Sequence, residues 1–127
     1  MAGLQVLEDQ YKAQGLHVLS FFSNDFGNQG GTNGEIDDCT DQYMVTFDQF
    51  ATDKVKGASA QPVFSWLFSQ GATDPAWNFH KYLVGRDGSF IQQWPSSTYW
   101  GEDPNSTNFK DNEVVKAIEA EIAKPAP

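Results

Sequence analysis

Trp77-Asn78-Phe79-His80-Lys81-Tyr82-Leu83-Val84-Gly85-Arg86-Asp87-Gly88, followed by Ser89-Phe90-Ile91-Gln92-Gln93-Trp94, is the stretch that decides the fold. Trp77 to Val84 and Ser89 to Trp94 are strand-like runs, and Gly85-Arg86-Asp87-Gly88 between them is a hairpin signal. The spacing predicts two antiparallel strands. Upstream, Pro62 opens a predicted helix carrying Val63, Phe64, Trp66, Leu67 and Phe68, which Gly71 closes. Further back, Leu16, Val18, Leu19, Phe21 and Phe22 place apolar groups on both faces of one run. That is the pattern of a strand buried on both sides. Ahead of it, Leu4, Leu7 and Tyr11 recur at helical spacing, with Glu8, Asp9, Gln10 and Lys12 expected on the other side and Gly15 as the stop. A helix passing straight into such a strand is the second half of a βαβ unit.

The intervening segments fill in the order. Ser23 to Gly34 is a loop with four glycines, and Glu35 to Tyr43 reads as a short helix bearing Cys39, its early acids suiting the positive end of the helix dipole. Val45-Thr46-Phe47 is expected to be extended. A polar loop from Pro95 to Lys110 leads to a last helix, Asp111 to Ala123, with Val114, Val115, Ile118 and Ile122 on one face. Phe21, Phe22, Phe64, Trp66 and Phe68 are expected in the core. The order helix, strand, helix, helix, hairpin, helix predicts an α/β sandwich with a central mixed sheet flanked by helices. Residues 1–123 are expected to form one domain and 124–127 a tail.

The 127 residues suffice for one ordinary core. Eight Lys and Arg against 17 Asp and Glu give a net charge of −9, which argues against a nucleic acid or an anionic membrane surface as partner. No apolar run approaches the ~20 residues of a membrane helix. Met1-Ala2-Gly3-Leu4 shows no signal-peptide pattern, which makes a cytoplasmic location the default expectation. Cys39 is the only cysteine, so a Cys-x-x-Cys redox pair and a Cys-rich zinc site are excluded. His17 and His80 stand far apart and are a thin basis for a metal site. They are expected to face solvent or a satisfied contact. The aromatic loop from Trp94 to Trp100 leaves ligand binding open as a further reading.

Three blocks resemble one family. Asn24-Asp25-Phe26-Gly27-Asn28-Gln29 resembles the Asn-Gln-Phe-Gly-x-Gln motif of the glutathione peroxidases. Trp77-Asn78-Phe79-His80-Lys81-Tyr82-Leu83-Val84 is similar to that family's Trp-Asn-Phe-x-Lys-Phe-Leu-Val block. Gly3-Leu4 through Leu19 is similar to the helix and strand that follow the family's peroxidatic cysteine. The resemblance spans roughly residues 3–123. It implies a thioredoxin-like fold and reduction of hydrogen peroxide or organic hydroperoxides by a thiol, with no bound cofactor and with glutathione or thioredoxin as reducing co-substrate. It also implies that a strand ending in Cys-Gly-x-Thr should precede Gly3. That segment is absent here, so the leading strands are expected to be missing.

By the same resemblance, Gln29, Trp77 and Asn78 are the neutral N–H donors around the reactive sulfur, and Cys39 is the candidate resolving cysteine. The residue types suit the chemistry. The thiolate is the nucleophile, and a free thiol near pKa 8.5 is mostly protonated at neutral pH. Amide and indole N–H groups favour the thiolate without adding a competing charge. Asp37 and Asp38 beside Cys39 would raise its pKa, which suits a resolving role better than a peroxidatic one. Two further expectations follow. Gln29 and the Trp77–Asn78 pair should converge. Leu16 to Phe22, lacking a neighbour on one edge, should favour a homo-oligomer or else a poorly soluble monomer. The alternative function is a catalytically silent thioredoxin-like fragment acting as a binding or assembly module.

Overall fold

The computed structural model describes residues 2–27 and 44–126. Among them, α1 (Ala2–Tyr11) is continued by one 3-10 turn, Lys12–Gln14, and stopped by Gly15 at φ 104°. Then come β1 (Leu19–Phe21), β2 (Asp48–Phe50), α2 (Pro62–Ser69), β3 (Lys81–Val84), β4 (Phe90–Trp94), α3 (Thr107–Lys110) and α4 (Glu113–Ile122). The strands form two ladders. β1 and β2 are parallel, with Leu19 opposite Asp48 and Phe21 opposite Phe50. β3 and β4 are antiparallel, with Lys81 opposite Trp94. Both pairing types of the expected mixed sheet are therefore present, as two two-stranded pieces. No described helix is long and apolar enough to cross a membrane.

The strands are shorter than the apolar runs because backbone groups at their ends bond outside the ladders or the chain turns there. The Val18 N–H donates to the buried Glu8 carboxylate at 3.0 Å, and the Leu16 N–H to the Tyr11 carbonyl at 3.2 Å. The β1 ladder can therefore begin only at Leu19. Glu8 was expected on the solvent side of α1; it turns inward because it supplies this acceptor. The Thr46 N–H donates to the Gln5 side chain at 2.8 Å, and β2 starts at Asp48 rather than within Val45–Phe47. Trp77 to His80 is not strand either. Phe79 takes φ 59° and reverses the chain, so β3 starts at Lys81. At the far end of the hairpin the Gly85 N–H donates to the Ser89 carbonyl at 2.8 Å, and Gly88 sits at φ 81°.

Two apolar clusters lie on the two sides of the strands. Leu7, Trp94, Trp100, Phe109, Val114, Val115 and Ile118 join α1 to α3 and α4. Phe26, Val55, Phe64, Leu67 and Ala72 pack around α2. Trp94 and Trp100 are buried, while Tyr99 in the loop between them is exposed. The Trp100 indole N–H donates to the Gly3 carbonyl at 2.8 Å and ties that loop to the start of α1. Of the five aromatics expected in the core, Phe64 is buried, while Phe21, Phe22, Trp66 and Phe68 are half-buried.

β1 also departs from the expectation of burial on both faces. Leu19 is 48% exposed, and Ser20 and Phe21 are half-buried. An apolar groove of about 830 Å3 runs between β1 and β3, with Phe64 and Leu67 of α2 on one side and Leu7, Val114 and Ile118 on the other.

Candidate functional site

The groove has two ends, set by the direction of β3. Trp77 and Asn78 stand just before β3, and Arg86 just after it. At the first end, the Trp77 ring packs against Phe26 with centroids 5.8 Å apart. Trp77 nevertheless remains 53% exposed, with its neighbour Asn78 half-buried. Phe26 belongs to the loop that follows β1. That loop is pinned by Asp25, whose carboxylate accepts the Val55 N–H at 2.8 Å and the Lys56 N–H at 3.2 Å. The Lys56 ammonium lies 5.4 Å from the centre of the Phe26 ring. Asp25 is thus committed to backbone donors.

A second set of contacts fixes the segment carrying Trp77. The Thr73 N–H donates to Gln93 Oε1 at 2.8 Å, which orients the Gln93 amide, and Gln93 Nε2 donates to Thr73 Oγ1. The Tyr82 hydroxyl donates to the Thr73 carbonyl at 2.7 Å. His80 sits among these groups. Its Nδ1 faces the Ala76 N–H at 3.3 Å and its Nε2 faces the Gln93 NH2 at 3.2 Å. Burial pushes the His80 pKa below its usual value, and the charge of Lys81 pushes in the same direction. A protonated ring would also present two N–H groups to two donors. Burial likewise lowers the Lys81 pKa, while its ammonium lies 5.4 Å from the Trp100 ring centre. The neutral His80 ring carries one N–H, so one of its two nitrogens accepts from these donors, and the ring packs against the turn that presents Trp77.

At the other end of the groove, Arg86 reaches three main-chain oxygens. Its guanidinium donates to the carbonyls of Gln14 at 2.9 Å, Glu121 at 3.2 Å and Ile122 at 3.3 Å. These are carbonyls at the C-terminal ends of the α1 turn and α4, where a cation is favoured.

Of the four residues singled out from the sequence, Trp77 and Asn78 lie side by side on the groove. Gln29 and Cys39 lie outside the described residues. Thr73, Gln93 and Tyr82 were not foreseen, although the strand alternation that places Tyr82 and Gln93 opposite each other was a readable signal. Among the described residues, no three or more His, Cys, Asp and Glu side chains gather as a metal site would require.

The family model described as glutathione peroxidase matches residues 1–68, more than half of the chain. The chain belongs to the glutathione peroxidase family. It is 41% identical over 102 residues to the glutathione peroxidase of Lactococcus lactis, covering 76% of this chain and 65% of that protein. It is 39% identical over 106 residues to the hydroperoxy fatty acid reductase of Synechocystis, covering 74% of this chain and 63% of that protein. The chain thus spans just under two thirds of the length of these glutathione peroxidase relatives. Among solved structures, the apo form of Trgpx aligns over 98% of this chain and 73% of its own, with a TM-score of 0.65 and 29% identity. The fold is thioredoxin-like, as in the glutathione peroxidases.

Proposed function

We propose that this chain serves thiol-dependent reduction of hydrogen peroxide or organic hydroperoxides, with glutathione or thioredoxin as the reductant. The observation that carries the reading is the packing of Trp77 on Phe26, which brings the loop after β1 against the start of the β3–β4 hairpin. Gln29 lies three residues beyond Phe26 in the chain, so the contact favours convergence of the three donors. Trp77 leaves its indole accessible beside Asn78, at one end of the groove.

In this reading a thiolate of a Cys-Gly-x-Thr segment, which these 127 residues do not contain, attacks one peroxide oxygen. The O–O bond breaks, the sulfur becomes a sulfenic acid, and the leaving oxygen departs as water or an alcohol after taking a proton. The N–H groups of Gln29, Trp77 and Asn78 favour the thiolate and the developing oxyanion. The Cys39 thiol then displaces water from the sulfenic sulfur to form a disulfide, which a thioredoxin-type dithiol reduces by exchange. Without that step, two glutathione thiols supply the two electrons. The name of the Synechocystis relative makes fatty acid hydroperoxides a substrate class worth assaying.

The experiment joins a β-strand ending in Cys-Gly-x-Thr ahead of Gly3 and follows peroxide-driven oxidation by stopped flow, with the 127-residue chain as control. Trp77→Phe should slow the first oxidation by about tenfold, in line with loss of one oriented donor. Cys39→Ser should spare that step and impair turnover with thioredoxin. Fast peroxide consumption by the 127-residue chain, abolished by Cys39→Ser, would overturn the assignment of roles.

A second reading, a catalytically silent binding module, is favoured by the groove between β1 and β3. Binding through that groove with no peroxidase activity in the extended chain would select it.

A further inference from the structure

We propose that His80 is a positioning residue whose charge gates the site: the neutral ring holds the segment carrying Trp77 and Asn78 against the β3–β4 hairpin, and the protonated ring releases it. The proposal rests on the reading of that pair as donors in a peroxidase, and it names a regulation of the same site by protons. Three observations carry it. First, residues 73–80 are tied to the hairpin through a few side chains. Thr73 is held by Gln93 and Tyr82, and the Ala76 N–H, next to Trp77, meets His80 Nδ1 at 3.3 Å. Second, Phe79 takes φ 59°, a conformation that an aromatic residue keeps only where its surroundings hold it. Its own ring is 55% exposed and does not supply that hold. The turn is thus poised to relax once its tie is lost. Third, Trp77 is exposed and rests on Phe26 through a ring contact, which tolerates sliding.

The ring can act as a tie in only one charge state. Its two nitrogens face two donors, the Ala76 N–H and the Gln93 NH2. A neutral imidazole has one acceptor nitrogen, and a protonated one has none. Gln93 cannot turn its oxygen toward a protonated ring, because Oε1 accepts the Thr73 N–H at 2.8 Å and Nε2 donates to Thr73 Oγ1 at 2.6 Å. The charged and titratable groups nearby offer no acceptor either. Burial disfavours the protonated ring, and Lys81, the next residue on β3, is a cation that disfavours it further. Asp74, on the segment before the turn, has its carboxylate on the Gly57 N–H at 3.2 Å. Lys56, beside Gly57, is a second cation and lies over the Phe26 ring. Tyr82, whose ring centre lies 5.0 Å from that of His80, commits its hydroxyl to the Thr73 carbonyl, and burial keeps that phenol protonated. Protonation therefore sets two N–H groups against two donors. The ring turns out to water, and the Ala76 N–H loses its acceptor.

The test follows the full 127-residue chain by NMR between about pH 7.5 and 4.5. The His80 ring resonances are assigned by their loss in His80→Asn, and the Trp77 indole by its loss in Trp77→Phe. The Ala76 amide and the Trp77 indole should move with the midpoint of the His80 ring. Cross-relaxation between the Trp77 and Phe26 rings should weaken at least threefold across that midpoint. Asn at position 80 sets an oxygen close to the place of Nδ1 and does not titrate, so His80→Asn should keep the Trp77–Phe26 contact at both ends of the range. A purely structural side chain would not link the position of Trp77 to a titration. His17→Gln should leave the midpoint unchanged. A Trp77–Phe26 contact that is constant while His80 titrates overturns the proposal. So does a midpoint that follows His17, or one that persists in His80→Asn. The chain extended by Cys-Gly-x-Thr separates this result from the peroxidase reading. There the first oxidation rate, divided by that of the same chain carrying His80→Asn, should fall about tenfold from pH 7 to pH 5, as for loss of one oriented donor. The ratio cancels the titration of the thiol itself. Fast oxidation with a ratio independent of pH overturns the gate. No oxidation at any pH, with the NMR titration as expected, supports the gate and overturns the peroxidase reading.

Discussion

Replacing Arg86 by Ala tests the frame that holds the β3–β4 hairpin against two helix ends. The side chain makes three hydrogen bonds to main-chain carbonyls, one from the turn after α1 and two from the end of α4. A hydrogen bond involving a charged group contributes ~1.5–3 kcal/mol, and a neutral one ~1 kcal/mol. Two of the three are longer than 3.1 Å and the Gln14 contact is exposed, so values near the lower figure apply. The expected loss is about 2–3 kcal/mol. With a urea m-value of ~1–3 kcal/mol/M, the midpoint should fall by about 1 M with m unchanged. Arg86→Lys keeps the positive charge at the helix ends, worth ~0.3–1 kcal/mol, but not the planar fork that reaches three acceptors. It should recover less than half of the loss. The assay is urea unfolding followed by tryptophan fluorescence and circular dichroism together. A loss below ~0.5 kcal/mol, the level of an ordinary surface change, would refute the clamp. Full recovery by Lys would refute the role of the fork.

Trp100→Phe removes the indole N–H that the Gly3 carbonyl accepts and should cost about 1–3 kcal/mol in the same unfolding assay, with faster amide exchange at the start of α1. His80 has a folded-state pKa below its unfolded value of 6.5, so the unfolded chain binds the proton first as pH falls. Its contribution to stability is present above about pH 6.5 and is lost as pH drops through the folded pKa. His80→Gln should flatten urea midpoints measured between pH 7 and 5. Tyr11 behaves in the opposite sense. Burial, together with its hydrogen bond to Glu119, raises its pKa to about 12. That stabilisation is present below pH 10 and is lost as pH rises toward 12. Tyr11→Phe should remove part of the alkaline loss, and ultraviolet titration of the phenolate should show the late-ionising tyrosine disappear.

The hairpin was legible because its chemistry is local. Gly88 is placed at a positive φ, and Gly85 closes the turn with Ser89. The helices were legible from apolar spacing, and Leu7, Val114, Val115 and Ile118 occupy the face expected of them. Strand ends were not legible, because they depend on side chains brought in from elsewhere in the chain. Glu8 takes the Val18 N–H, and Gln5 takes the Thr46 N–H across 41 residues. Polarity alone assigned Glu8 to solvent, whereas its role as an acceptor draws it inward. The same limit applies to Trp94 and Trp100. Their burial follows from the loop closing over α1, which local sequence does not announce. At the site, the pair Trp77–Asn78 was readable as a motif. Its support was not, since Thr73, His80, Tyr82 and Gln93 meet only once the hairpin has formed.

The groove and the site are connected by that support. Neutral donors stabilise a thiolate only when they are held in place before the charge arrives, since any reorganisation cancels the gain. Trp77 is exposed and stands on a turn rather than in a ladder, so its position depends on Phe26 on one side and on the His80 turn on the other. Phe26 in turn depends on Asp25 gripping Val55 and Lys56. β1 and β3 carry these two supports, and among the described residues neither a backbone ladder nor a shared strand joins them. The aromatic chain Phe21–Phe64–Tyr82, with centroids 5.3 and 5.9 Å apart, spans the groove through α2. Those ring contacts set a distance but not a register, because stacking and edge contacts tolerate sliding. Among the described residues, the position of Trp77 therefore rests on the Phe26 loop and on the His80 turn rather than on a ladder between β1 and β3.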